Sequence, residues 1–310
     1  MNYKHIDIVD IEKKIKRKIK EYYPNRNYKL RKIKKIQIRL RPPIFRCDLD
    51  GNKQLFVKIF PKTVDESVIE QRKSEYENYI PIQKTLDFFQ DINAVVVEGV
   101  KGRKLSNILI IQSFPLLREF YKNQLNLYMT KIGNAIGNLQ RLNTKRYERL
   151  GNLEIDPILR EKIGNELFIK INNKLDDVKG LKIPVTRSFG DPAPHNILIS
   201  KEEIYFIDLD YYKSFDFCFR DLLTFSVGLE LSLNKLYFGA KLFQVLNDIF
   251  YRAYKERYPS QLDENLLKLL RLKEYCDYLA CHENMKKYDF MGFISIKYLT
   301  KCIKKIDSEI

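Results

Sequence analysis

Asp191, Asn196 and Asp208 bring two carboxylates and an amide into one short stretch, SFGDPAPHNILISKEEIYFIDLDY, residues 188–211. The runs Ile197 to Ile199 and Ile204 to Ile207 are β-branched and aromatic. The polar Ser200-Lys201-Glu202-Glu203 separates them, which predicts a two-stranded antiparallel ribbon. With the turn centred near Glu202, facing residues have numbers summing to about 404, so Asn196 falls opposite Asp208 at the open end of the ladder. Pro192 and Pro194 fix φ twice on the bend between Asp191 and Asn196 and so stiffen it. Three oxygen ligands converging on a small volume suit a hard cation such as Mg²⁺, which is commonly held by one or two protein groups together with substrate phosphates.

The elements that must position these groups start at the N-terminus. Ile8, Ile11, Ile15 and Ile19 recur at spacings of three and four among lysines, predicting an amphipathic helix that Pro24 and Asn25 terminate. Lys32 to Leu40 alternates as a strand, Arg41-Pro42-Pro43 turns, Ile44 to Cys47 returns, and Asp50-Gly51-Asn52 is a hairpin turn into Leu55 to Phe60, which contains Lys58. A helix over Val68 to Ile80 follows, with Glu75 on its semi-buried face and Glu70 and Glu77 as competing choices. Two more strands are expected at Thr85 to Phe89 and Ala94 to Val97. Beyond Leu105 the periodicity is helical, including Leu127 to Leu142, where Gly133 and Gly137 would admit a close helix neighbour, and nearly all of Leu229 to Ile310.

The Asp-x4-Asn loop followed by Ile-Asp resembles the catalytic loop and metal-binding aspartate of protein kinases. The resemblance is closest to the aminoglycoside phosphotransferase and choline kinase branch, whose loop usually reads His-Gly-Asp-x4-Asn. It implies an α+β, two-lobed protein-kinase-like fold with a small antiparallel-sheet N-lobe and a large, mainly helical C-lobe. On that reading residues 1–30 form a basic helical arm, 31–100 the N-lobe and 101–310 the C-lobe. The resemblance further implies ATP and Mg²⁺ as cofactors, Asp191 as catalytic base, and Asn196 and Asp208 as metal ligands. Lys58 would grip the α- and β-phosphates, Glu75 would hold Lys58, and the backbone of Glu98 and Val100 would meet adenine. Asp221 in DFCFRDLLT matches the aspartate that braces the catalytic loop. The resemblance covers roughly Lys32 to Phe225, and its specific motifs lie at Gly190 to Asn196 and Ile207 to Asp210. The sequence departs from the pattern in two places. Phe189 stands where the histidine usually is, and no glycine precedes Gly51, so Pro42-Pro43 occupies the place of the phosphate-covering loop, with Arg39 and Arg41 beside it as candidate sources of positive charge.

The implied activity is transfer of the γ-phosphoryl of ATP to a hydroxyl of a small molecule such as an aminoglycoside, a sugar or a choline-like alcohol. A kinase of a protein or a surface glycan, or a kinase-like binding protein without catalysis, are the alternatives. No Ala-Pro-Glu segment follows Asp208, which argues against a protein kinase. Composition bounds the rest. The 310 residues are 45% apolar and 31% charged, as in soluble globular proteins. No apolar run is long enough to span a bilayer, and the charged N-terminus has no signal-peptide core, so a cytoplasmic location is expected. The 5 cysteines have no Cys-x2-Cys spacing and read as reduced core thiols, while the 3 histidines are too scattered for zinc. The net charge is +16, and +11 of it falls within residues 1–41, which hold 15 Lys and Arg against 4 Asp and Glu. That arm suggests an anionic partner, an anionic membrane or an acidic acceptor. In the plainer reading the isoleucine stripe caps the small lobe and the lysines are solvated.

Overall fold

The computed structural model describes residues 8–36, 43–60, 62–76, 80–112, 114–142, 146–151, 153–208, 215–234, 240–258, 263–285 and 296–309. The chain falls into two compact units, Met1–Gly102 with Tyr205–Ile207, and Arg103–Ile204 with Asp208–Ile310. The architecture is α+β.

In the first unit α1 (Ile8–Tyr22) precedes β1 (Leu30–Ile36), β2 (Ile44–Leu49), β3 (Gln54–Ile59), α2 (Glu66–Tyr76), β4 (Thr85–Phe89) and β5 (Ala94–Glu98). The five strands form one antiparallel sheet in the order β1-β2-β3-β5-β4. Side chains alternate along each strand, so the sheet has two distinct faces. One face carries Phe45, Cys47, Leu55, Val57, Ile59, Ala94 and Val96, and these pack with Ile11, Ile15 and Ile19 of α1 into a single core. The isoleucine stripe therefore caps the sheet, each buried side chain contributing about 1.5–3 kcal/mol relative to exposure. Ile8 lies outside it, at 40% exposure. Lys14 and Lys18 are tied to Asp91 and Asp87 of the same unit, which anchors the charged flank of the helix.

Several boundaries differ from the sequence expectation, with one-residue shifts in β3 and at the end of β5. β2 runs two residues past Cys47. β1 starts two residues early, at Leu30, and the expected continuation through Leu40, with Arg39, Arg41 and Pro42, lies outside the described residues. α2 runs from Glu66 to Tyr76, and Ile80 is not helical. Ile80 precedes Pro81, and a residue before proline is driven out of the helical region.

The second unit begins with β6 (Arg103–Lys104), α3 (Leu105–Gln112), α4 (Pro115–Arg141), β7 (Arg146–Arg149), α5 (Arg160–Ile163), α6 (Asn165–Asp177) and β8 (Lys182–Arg187). It continues through β9 (Ile197–Ser200), β10 (Glu203–Phe206, whose last two residues are counted with the first unit), β11 (Phe215–Phe217), α7 (Phe219–Leu233), α8 (Ala240–Arg257), α9 (Glu264–Met285) and α10 (Ile296–Glu309). Two three-stranded sheets, ordered β10-β9-β6 and β11-β8-β7, sit among the helices. The second of these has no counterpart in the sequence reading. β7 is Arg-Tyr-Glu-Arg without an apolar alternation, and β8 contains Pro184, so neither looks like a strand in isolation.

α4 starts twelve residues before the expected Leu127, with proline at its opening. Its Gly133 and Gly137 meet α8 at close range. A Cβ on Gly133 would stand 2.5 Å from Phe250 O, and one on Gly137 would stand 2.7 Å from Arg257 Cβ. α7 is buried on nearly every side and runs through the middle of this unit. Val227 and Leu231 of α7 join Tyr275, Cys276 and Leu279 of α9 and Ile303 of α10 in one core cluster. Cys47, Cys218, Cys276 and Cys302 are free and buried, as expected of core thiols. Burial pushes the thiols of Cys47, Cys218 and Cys276 up to about 12, which keeps them protonated and unreactive.

Candidate active site

Between β8 and β9 the chain makes a loop that contains Asp191 and Asn196. Gly190 opens it at φ 89, a conformation that glycine reaches without a Cβ penalty. Pro194 to Asn196 then form a single 3₁₀ turn before β9. Asn196 is buried, and its Nδ2 donates to the carboxylate Oδ2 of Asp191 at 2.9 Å and to the Asp191 carbonyl at 3.0 Å. The Asp191 side chain remains about half exposed, at 49%, so its carboxylate is open to a solute. His195, which the sequence reading did not assign to this loop's chemistry, places Nε2 3.8 Å from Asp191 Oδ2.

The loop is held from the N-terminal turn of α7. Asp221 is fully buried, and its carboxylate accepts from Ser188 Oγ at 2.8 Å, Phe189 N at 2.8 Å and Gly190 N at 3.2 Å. Bracing therefore passes through backbone N–H groups and the Ser188 hydroxyl, and Phe189 between them is a buried apolar side chain. Burial raises the Asp221 carboxyl from its ordinary 3.8 to about 6, against the opposing pull of these hydrogen bonds. One helical turn further on than Thr224, Gly228 gives α7 a second contact with the loop, because a Cβ there would stand 2.7 Å from Pro194 Cδ. Nothing in the sequence distinguishes Gly228 from any glycine in a helix, and only the packing identifies its role.

The hairpin that carries the loop onward turns at Lys201 and Glu202, with φ values of 52 and 72. Positive φ at both positions matches the two-residue turns that suit strand twist. Asn196 ends its 3₁₀ turn just before β9, and Asp208 stands two residues past β10, exposed and at φ 61, so both lie beyond the ladder rather than on it. Asp210 lies outside the described residues.

Among the described residues no group of three His, Cys, Asp or Glu is arranged to hold a metal. The ligands expected from the sequence, Asn196 and Asp208, are instead an amide and a carboxylate. Commitment of Asn196 Nδ2 to Asp191 leaves Oδ1 as the acceptor of that amide, and Asp208 would add a carboxylate. Two such oxygens fit Mg²⁺, whose remaining positions are usually filled by water and phosphate.

In the first unit, the register Ile44↔Lys58↔Val95 and Arg46↔Phe56↔Val97 puts these residues on the sheet face opposite α1. Phe56, two positions before Lys58, is a half-buried apolar side chain on the same face, which the sequence reading did not single out. Lys58 is half-buried and donates to Gln83 Oε1 at 3.3 Å. Glu75 lies on α2, with its side chain outside the described ones, and Glu77 is likewise outside the described residues. The competing Glu70 is paired with Lys73 on the surface at 2.6 Å. Glu98 ends β5. Its N–H donates to Lys84 O at 2.8 Å, its carbonyl accepts from Gln83 Nε2 at 2.8 Å, and its carboxylate pairs with Lys53. Val100 is two residues further on, past the strand.

No protein-family model matches the chain, and no curated protein matches it by sequence. Solved structures do match by shape. The choline kinase LicA from Streptococcus pneumoniae aligns over 96% of this chain and 99% of its own, with a TM-score of 0.58 at 14% identity. Amicoumacin kinase hAmiN, in complex with AMP-PNP, Ca²⁺ and Ami, aligns over 97% and 95%, with a TM-score of 0.56 at 12% identity. An aminoglycoside-3'-phosphotransferase of type VIII aligns over 85% and 98%, with a TM-score of 0.50 at 18% identity. The chain thus has the protein-kinase-like fold found in structures of choline kinase and aminoglycoside phosphotransferase, over nearly its whole length.

Proposed function

We propose that this protein is an ATP-dependent phosphotransferase that phosphorylates a hydroxyl of a small molecule, such as an aminoglycoside, a sugar or a choline-like alcohol. The observation that carries this reading is the Asp191–Asn196 pair, locked on a loop that Asp221 and Gly228 brace, within a fold shared with solved small-molecule kinases such as LicA and hAmiN. The complexes of LicA with AMP and of hAmiN with AMP-PNP support nucleotide as the donor.

In this mechanism Asp191 accepts the proton of the acceptor hydroxyl as its oxygen bonds to the γ-phosphorus. The β–γ bridging bond breaks and ADP leaves. Asn196 and Asp208 would hold Mg²⁺, which when bound neutralises charge on the β- and γ-phosphates. Lys58 grips the α- and β-phosphates, Glu75 holds Lys58, and the backbone of Glu98 and Val100 meets the base. Such catalysis is mainly positioning and electrostatic stabilisation, which makes the rigidity of the Asp191 loop its central requirement. A cytoplasmic location, with its supply of ATP, belongs to the same reading. Among the described residues no helix is long and apolar enough to cross a membrane.

The basic arm is assigned a structural role first, because its isoleucines are consumed in the core. Arg31, Lys32, Lys34 and Lys35 of β1 remain exposed and are the surface an anionic partner or acidic acceptor would use. A screen of purified protein with Mg-ATP against aminoglycosides, sugars, choline-like alcohols and nucleosides tests the proposal. Acceptor-dependent ADP release with a phosphomonoester product is expected. Phosphorylation of a protein or glycan alone would move the activity to another acceptor class, and nucleotide binding without turnover on any acceptor would leave a binding protein.

A further inference from the structure

A lysine presents a compact, strongly hydrated charge on a flexible four-carbon stem, so it has to be aimed before it can grip a phosphate at a set place. Gln83, just before β4, is built to do this for Lys58. It is 6% exposed, and its amide is engaged at both ends. Oε1 accepts from Lys58 Nζ at 3.3 Å, while Nε2 donates to the Glu98 carbonyl at 2.8 Å. The orientation of the amide follows from chemistry, since the reverse would point an NH₂ at an ammonium and an oxygen at a carbonyl oxygen. The Gln83 backbone N–H donates to Phe206 O at 2.9 Å, and Ile82 forms a bridge with the same residue. One buried residue therefore touches the lysine of β3, the end of β5 and the strand that leads to Asp208.

We infer that Gln83 is a positioning residue that sets the span between the Lys58 ammonium and the Glu98 carbonyl, and so fixes how far the phosphate grip lies from the base-reading segment. The inference rests on the phosphotransferase reading. Glu98 suits the far end of such a strut because it is itself pinned. Its N–H is bonded to Lys84 O, and its carboxylate is held by Lys53 and by Tyr23 Oη at 3.4 Å. The carbonyl has two lone pairs and spends one on Gln83, which leaves the other for a nucleobase. An amide also adds an acceptor for the lysine without adding negative charge, so the ammonium is aimed without weakening its attraction for phosphate.

Calorimetric titration with adenosine, ADP and ATP in the presence of Mg²⁺ tests this on the wild type, Gln83→Met and Gln83→Glu. The quantity read is the gain in affinity from adenosine to ADP and ATP. In Gln83→Met the gain falls on the order of tenfold, as expected for losing a hydrogen bond to a charged group, while adenosine affinity holds. Gln83→Glu keeps an acceptor for the lysine but sets a negative charge beside the ammonium and an oxygen against the Glu98 carbonyl, so its gain falls at least as far as in Gln83→Met. Gln83→Asn, with the same amide on a shorter reach, gives the Met-like result and replaces that variant if Gln83→Met does not fold. An unchanged gain in Gln83→Met, an unchanged gain in Gln83→Glu, or an equal loss of adenosine and ATP affinity in Gln83→Met each overturns the inference alone. A wild type that binds ATP no better than adenosine overturns the phosphotransferase reading and this inference with it.

Discussion

Asp221 is the residue through which the loop chemistry connects to stability. Its carboxyl is ordinary, near 3.8, in the unfolded chain and is raised to about 6 in the fold, because burial penalises the anion more than its three donors reward it. Below 3.8 both states are protonated and nothing is lost. Between 3.8 and about 6 the folded protein keeps a proton that the unfolded chain releases, so stability falls as pH rises and levels off above about 6. The full difference is roughly 3 kcal/mol. Denaturant unfolding of the wild type and Asp221→Asn across that range should show the stability difference shifting against the wild type as pH rises. A difference that stays flat or shifts the other way would remove the assigned burial cost. The sequence placed Asp221 by resemblance, but that three loop donors converge on it follows from the fold.

Elements position the site through close approaches that only small residues permit. Gly133→Ala and Gly137→Ala should each destabilise the protein by about 1–3 kcal/mol, since α8 backbone and side-chain atoms occupy the space of the new methyl. Gly151→Ala is the control, with open space around it. Gly228→Ala differs in kind. Its methyl would press on Pro194, so it should lower turnover more than thermal stability accounts for, and a purely proportional loss would show that Gly228 serves packing alone. Gly133 and Gly137 were legible because their four-residue spacing stands out in an apolar helix. Gly228 was not, because its partner is a loop distant in sequence. The β11-β8-β7 sheet was missed for a related reason: β7 is an exposed, charged strand whose only strand-forming signal is its pairing with β8.

At the scale of the whole molecule the periodicities were informative wherever one face of an element is buried. α1 is the clearest case. Deleting residues 1–21 should uncover Leu55, Val57 and Ile59 and remove three buried isoleucines, at about 1.5–3 kcal/mol each, which is most of the margin of a typical domain. Chemical denaturation would register this, and a truncated protein as stable as the full chain would mean that the helix is an appendage. The same deletion should leave binding to nucleic acid and to anionic liposomes unchanged at two salt concentrations, and arm-dependent binding would reassign the basic surface. The acceptor was not legible, because the C-terminal helices are apolar and lysine-rich throughout and carry no motif that would single out a ligand. In the proposed reaction Asp191 acts on the acceptor hydroxyl and not on ATP. The most direct measurement compares wild type and Asp191→Asn for Mg-ATP affinity and for turnover with an acceptor from the screen. Affinity should be nearly equal and turnover reduced by about 10²–10⁴, the range for a lost general base. Full turnover in Asp191→Asn would contradict the account.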